Sequence, residues 1–417
     1  VVQSTQAPIE RPSLEGLARD GKSIVLRNET EQRTALEELS LSTEPKIKTL
    51  GGGFERLLYD PRSHALVGAV VLDKDSLKHV FFEQQGADAW VAITDAFPDS
   101  SPSIASWSDD RQKIVLRLST ANKAPRFVLV DLAAGKSQSI GAVYEGIADG
   151  DVSPIRPFRY KASDGLEIAG YLTLPHGGNS KGLPLVVLPH GGPASRDVLG
   201  FDWMAQALAS RGYAVMQPNF RGSDGYGWAF MAAGFGEWGG KMPSDLSDGV
   251  KRLVADGVID PARVCIVGAS YGGYAALAGV AFEPSVYRCA ASIAGPTDLK
   301  RFLQSTVTAA GSKNNATLRY WDRFMGVNGS GDPRLEKISP ALHAEDIKAP
   351  VLLIHGRDDT VVPFNQSQLM ADAMKKAGRP ASLITLKGED HWMSRSETRM
   401  EMITSLVTFL EEHNPPN

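Results

Sequence analysis

Eleven consecutive residues constrain this 417-residue chain more than any other stretch: Val264-Cys265-Ile266-Val267, followed by Gly268-Ala269-Ser270-Tyr271-Gly272-Gly273-Tyr274. A short apolar run ends in G-x-S-x-G and passes into the small residues Ala275 to Gly279, which reads as strand, tight turn and helix in that order. A serine on such a turn is lifted clear of the backbone at a helix N-terminus. Gly268 and Gly272 permit the close approach that side chains would block. A nucleotide-binding loop is excluded, because neither G-x-G-x-x-G nor G-x-x-x-x-G-K-[ST] occurs here.

Around this turn, from Phe158 onward, strand-length and helix-length segments alternate. Leu185 to Leu188, Ala214 to Gln217, Val264 to Val267, Ala290 to Ile293, Val351 to Ile354 and Ser382 to Leu386 are the expected strands. Trp203 to Ser210, Leu246 to Asp256, Tyr274 to Val280, Gln366 to Ala377 and Glu397 to Glu412 are the expected helices. Alternation of this kind predicts a mostly parallel sheet with helices on both faces and functional residues at the carboxyl ends of its strands.

The chain is longer than one core usually supports, and Pro154 and Pro157 punctuate a change of texture after Asp151, so two domains are expected, 1–152 and 153–417. The first reads as β, with helical periodicity only around Glu29 to Leu39. Within it a polar turn and a following strand recur: Arg19-Asp20-Gly21-Lys22 before Ser23 to Leu26, Asp60-Pro61-Arg62 before Ala65 to Leu72, and Ser108-Asp109-Asp110-Arg111 before Lys113 to Leu118. That spacing suits about three blades of a partial β-propeller, with unrelated hairpins as the alternative. An open set of blades leaves a terminal face without its neighbour, so self-association into a homo-oligomer is expected.

A serine hydroxyl is a weak nucleophile until a base takes its proton, so a histidine and an orienting acid are required later in the chain. After Val351 to Ile354 comes His355-Gly356-Arg357-Asp358-Asp359-Thr360-Val361-Val362-Pro363, and after Ser382 to Leu386 comes Lys387-Gly388-Glu389-Asp390-His391. His391 is the expected base, since the only later histidine, His413, sits in a polar tail. Asp359 is preferred to Asp358 on the register of the H-G-x-x-D-x-x-V-P loop. The order Ser270, Asp359, His391 is that of the α/β-hydrolase fold, which is the expected fold class of the second domain. The oxyanion of a tetrahedral intermediate needs donors, and the backbone N–H groups of Gly192, in His190-Gly191-Gly192-Pro193, and of Tyr271 are the candidates. No metal or organic cofactor is required by such chemistry.

A formal net charge of -4 without a basic stripe argues against nucleic acid as a partner. Apolar runs no longer than a strand argue against a membrane span, so a soluble protein, cytoplasmic or periplasmic, is expected. Cys265 and Cys289 lie in apolar segments and are expected to be core thiols rather than a bridge. The sequence starts at Val1 with nothing resembling a signal peptide, from which processing or truncation is expected.

With these residues in place the sequence resembles the prolyl oligopeptidase family of serine peptidases, most closely its acylaminoacyl-peptidase and dipeptidyl-peptidase-like bacterial members. The resemblance runs from about Phe158 to the end and rests on H-G-G-P at 190–193, N-F-R-G-S-D-G-Y-G at 219–227, G-A-S-Y-G-G-Y at 268–274, H-G-R-D-D-T-V-V-P at 355–363 and E-D-H at 389–391. It implies hydrolysis of short peptides or acylated amino acids through a Ser270 acyl-enzyme. The alternatives are a carboxylesterase for small acyl esters and a binding module with an inactive hydrolase domain. The resemblance also implies that Tyr320 and Phe324, one helical turn apart, line the substrate pocket, against the alternative that both are core. The acidic pair that grips a free substrate N-terminus in dipeptidyl peptidases has no counterpart in this sequence. The arginine that some relatives carry two residues after the acid is Val361 here.

Overall fold

Alternating patterns dominate the first part of the structure, a computed structural model that describes residues 12–29, 34–177, 181–312, 315–379 and 381–416. The chain divides into two compact units, residues 1–152 with 198–201, and 153–197 with 202–417. In the first, β1 (Ser13–Leu17), β2 (Ile24–Glu29), β3 (Thr34–Leu39) and β4 (Ile47–Gly51) form one antiparallel sheet. A second contains β5 (Phe54–Tyr59), β6 (Leu66–Asp73) and β7 (Ser76–Phe81), and is followed by helix α1 (Gln84–Ala96). The third contains β8 (Ser101–Trp107), β9 (Lys113–Ser119), β10 (Arg126–Asp131) and β11 (Lys136–Ala142).

Each sheet joins its first two strands by the same device. Asp20 accepts the N–H groups of Lys22 and Ser23, Asp60 those of Arg62 and Ser63, and Asp110 that of Gln112. These turns occupy the three recurring positions read from the sequence. Along β9 the apolar residues Ile114, Leu116 and Leu118 are buried in strict alternation, as a half-covered sheet requires.

The helical stretch expected around Glu29 to Leu39 is a correction: Thr34–Leu39 is strand β3, paired with both β2 and β4, and residues 30–33 lie outside those described. The Glu- and Leu-rich composition favours helix locally, but pairing on both sides overrides it. The helix of this unit is α1, whose Trp90 and Ile93 are buried three residues apart and whose Gly86 fits against the Phe81 ring.

The second unit is built on one eight-stranded sheet. Its elements in chain order are β12 (Ile155–Lys161), β13 (Glu167–Thr173), β14 (Leu183–Val187), α2 (Trp203–Ser210), β15 (Ala214–Asn219), α3 (Trp228–Ala232), α4 (Lys241–Ala255), β16 (Ile259–Ala269), α5 (Tyr271–Phe282), β17 (Cys289–Ile293), α6 (Leu299–Ala310), α7 (Ala316–Met325), α8 (Arg334–Lys337), β18 (Val351–Gly356), α9 (Asn365–Lys376), β19 (Ala381–Leu386) and α10 (Ser396–His413). The strand order is β12-β13-β15-β14-β16-β17-β18-β19. Only the β12–β13 and β13–β15 pairs are antiparallel. Continuous apolar runs such as Leu183–Val187 and Val351–Gly356 are buried throughout because helices cover both faces. Leu246, Val250 and Leu253 of α4, most of α5, and Met370 and Met374 of α9 join the core on one face. Ala205 and Leu208 of α2 and Met402, Leu406 and Leu410 of α10 join the core on the other. This is the α/β-hydrolase architecture.

Cys265 and Cys289 require a second correction: they form a disulfide. They are register partners on the neighbouring parallel strands β16 and β17, with Cα atoms 4.7 Å apart. A helix intervenes between them, so their spacing of 24 residues carries no trace of that register. Closing a loop of this size contributes about 3 kcal/mol in the chain-entropy treatment. Equilibrium unfolding with reductant is therefore expected to show a denaturant midpoint well below that of the oxidised protein. Equal midpoints would show that the bond adds nothing to stability.

Candidate active site

At the end of β16 the chain turns through Ser270 into α5. Ser270 has φ 57° and ψ -121°, a conformation that non-glycine residues adopt only when their surroundings enforce it. Its N–H donates to Ile293 O at 2.8 Å, tying the turn to the end of β17. Two glycines make the turn possible. A Cβ on Gly268 would stand 2.4 Å from the Gly272 backbone, and one on Gly272 would stand 2.2 Å from Pro189 O, at the end of β14. Helix α5 is buried from Tyr271 to Ala281, which its glycine- and alanine-rich sequence allows against β16 and β17.

The loops after β18 and β19 bring acid and base together. Asp359 Oδ1 accepts the backbone N–H groups of Val361 and Val362, both at 2.8 Å. Its Oδ2 accepts His391 Nδ1–H at 2.7 Å. That bond places the imidazole proton on Nδ1 and leaves Nε2 as the acceptor. Asp358 is exposed, and its N–H donates to Glu389 O, which clamps the two loops to each other. Burial opposes ionisation of Asp359, but hydrogen bonds from His355 and His391 and the Val362 N–H outweigh it and hold the carboxyl well below the usual range.

Two residues of this region carry roles that the spacing did not reveal. His355 is fully buried, and its Nε2 lies 2.9 Å from Val362 O and 3.2 Å from Asp359 Oδ2 while its Nδ1 meets the Ser367 hydroxyl at 2.8 Å. It braces the acid at the same carboxylate oxygen that His391 meets. Glu389 is equally buried. Its Oε1 accepts the N–H groups of Asp390 and Ser394, and its Oε2 those of Arg395 and the Thr398 hydroxyl. The loop carrying His391 is thereby fastened to the start of α10.

After β14, His190-Gly191-Gly192-Pro193 passes beside the nucleophile, and a Cβ on Gly191 would lie 3.3 Å from Ser270 Cβ. Gly192 has φ 121°, open to glycine alone. His190 stacks on Phe220 with centroids 4.4 Å apart, donates Nδ1–H to Gly191 O at 2.7 Å and meets Ser223 Oγ at 2.9 Å. Burial pushes its pKa down to about 4, so the ring is a neutral brace for the loop. Tyr271 opens α5, where a backbone N–H has no carbonyl of its own helix to meet. Tyr320, half-buried on α7, accepts the Ala194 N–H at 3.1 Å and lies 4.9 Å from the Phe324 ring. Phe324 itself is 2% exposed and packs edge-on against Phe235.

Among the described residues no three His, Cys, Asp or Glu side chains converge as metal ligands, and no helix is long and apolar enough to cross a membrane.

Residues 199–415 match the profile of the Prolyl oligopeptidase family. Dipeptidyl aminopeptidase BIII of Pseudoxanthomonas mexicana is 35% identical over 306 residues, which cover 69% of this chain and 42% of that protein. The acylamino-acid-releasing enzyme of Rattus norvegicus is 27% identical over 241 residues, 55% of this chain and 31% of that one. The chain thus spans less than half the length of these relatives. In fold it is similar to a Mycobacterium tuberculosis puromycin-hydrolyzing peptidase, with TM-score 0.77, 23% identity, and coverage of 97% of this chain and 62% of that one. It is similar also to a Pyrococcus horikoshii acylaminoacyl peptidase, with TM-score 0.75, 20% identity, and coverage of 98% and 64%.

Proposed function

We propose that this chain, which belongs to the prolyl oligopeptidase family, hydrolyses the amide bonds of short peptides or acylated amino acids through an acyl-enzyme on Ser270. The observation that carries this reading is the 2.7 Å hydrogen bond from His391 Nδ1 to Asp359 Oδ2, made by two loops at the carboxyl ends of neighbouring strands. In this mechanism His391 Nε2 takes the Ser270 proton as Oγ attacks the carbonyl carbon, and the backbone N–H groups of Gly192 and Tyr271 receive the developing oxyanion. The same imidazole then gives its proton to the leaving amine, and water reverses the sequence to release the acid. Tyr320, with Phe324 beneath it, forms one wall of the acyl-side pocket.

The relatives named dipeptidyl aminopeptidase and acylamino-acid-releasing enzyme support amide substrates of this class. A fluorophosphonate probe is expected to label Ser270. Aminoacyl and N-acyl-aminoacyl anilides are expected to be cleaved alongside p-nitrophenyl esters. Labelling with ester turnover but no anilide turnover would reassign the protein as a carboxylesterase, and the absence of labelling would leave a binding module.

A further inference from the structure

Trp392, the residue next to the proposed base, is 75% exposed. Single exposed apolar residues are ordinary on a protein surface, but a tryptophan this open is not, because no other side chain carries more apolar area. Nor is it on a loose tip. Its backbone N–H donates to Asp390 Oδ1 at 2.9 Å, and the Asp390 carboxylate also accepts the Ser394 hydroxyl at 3.0 Å. The adjoining Glu389 carboxylate is buried and fastened to the start of α10. The Trp392 ring stands perpendicular to the His391 imidazole, with centroids 5.4 Å apart. The backbone that carries this exposed aromatic is thus pinned, and the ring lies beside the imidazole.

The chemistry says which half of a substrate meets it. Nδ1 of His391 is engaged by Asp359, so Nε2 is the nitrogen that must come within about 3 Å of the leaving atom to protonate it. A leaving group of one or two rings, starting about 3 Å from Nε2, is long enough to reach a ring centred 5.4 Å from the imidazole. Resting on the hydrolase reading above, we propose that Trp392 is a specificity-determining residue, an apolar platform for the leaving-group half of the substrate that favours flat aromatic amines over small ones.

The test compares one acyl group carried on β-naphthylamine and on methanol, in the wild-type protein, Trp392→Ala and Trp392→Phe. Removing the ring is expected to lower the naphthylamide-to-methyl-ester ratio of kcat/KM about tenfold, the size of one aromatic stacking contact, and phenylalanine to restore most of it. Where hydrolysis of the shared acyl-enzyme limits turnover, kcat is expected to be the same for both substrates in every variant, because the leaving group has already departed. A general loosening of the His391 loop would lower both substrates together. An unchanged ratio in a Trp392→Ala protein that still labels stoichiometrically at Ser270 overturns the proposal. Failure of the wild-type protein to label overturns the hydrolase reading instead. Because the side chain is exposed, its removal leaves no cavity; if the alanine protein nonetheless fails to fold, Trp392→Leu provides the same comparison.

Discussion

Ser270→Ala, His391→Ala and Asp359→Asn are each expected to lower kcat by roughly 10⁴ or more, and combining them is expected to add little, because the three groups act as one unit. Asp359→Asn keeps the shape of the site but lets the imidazole carry its proton on Nε2, where it cannot accept from serine. Asp358→Asn is the internal control. Its carboxylate is exposed, and only its backbone takes part in the clamp to Glu389 O, so activity is expected to stay near the wild-type value. Steady-state rates on one anilide decide the matter. Substantial turnover by Ser270→Ala ends the acyl-enzyme mechanism, and greater damage at Asp358 than at Asp359 moves the acid by one residue.

Gly272→Ala is expected to have the next largest effect. The added methyl would stand 2.2 Å from Pro189 O and 3.2 Å from His190 O, both backbone atoms that cannot rotate away. Relief requires α5 to separate from the end of β14, which moves Ser270 away from the H-G-G-P loop. A shift of about 1 Å between reacting groups costs on the order of 10² in rate, and overpacking of this kind costs about 1–3 kcal/mol in stability. The comparison is Gly331→Ala, where the added methyl meets nothing within 4 Å and φ is unexceptional, so little change is expected. Wild-type activity and melting temperature in Gly272→Ala would mean that the elbow tolerates a spacing this geometry forbids.

The strands and helices around the site were legible because each is an uninterrupted run of one periodicity. Trp203–Ser210 has the same ends in sequence and structure, and Ser270, Asp359 and His391 each sit in a loop that follows such a run. The remaining features depend on pairings that the linear order does not encode. Glu389 serves the start of α10 from six residues before its flanking Arg395, whereas a cap is ordinarily sought at the flanking position itself. His355 was visible as the first letter of the acid loop, but its contact with Asp359 arises only when the loop folds back on the end of β18. The Cys265–Cys289 bond needs the register of two parallel strands, and β3 needs its two neighbours, before either can be read. The burial of Phe324 follows from its contact with Phe235, nearly ninety positions earlier in the chain.

The apolar clusters of the first unit have a consequence for its energetics. Ala18, Val25 and Leu36 of the first sheet and its β1–β2 turn meet Leu66 of the second in one cluster. Leu58, Val67 and Val70 of the second sheet meet Ile104, Ile114, Leu116 and Val128 of the third in another. Neighbouring residues of β6, Leu66 and Val67, therefore belong to different clusters, and the middle sheet is the partner of both outer ones. Stability in such a row is a sum of nearest-neighbour terms rather than the property of one shared interior. Loss of the first sheet removes one term and leaves the other intact, whereas a cavity at Val67 or Val70 weakens the term that holds the third. Amide exchange should accordingly slow from β2 inward to β6, with the first sheet opening as a separate cooperative step.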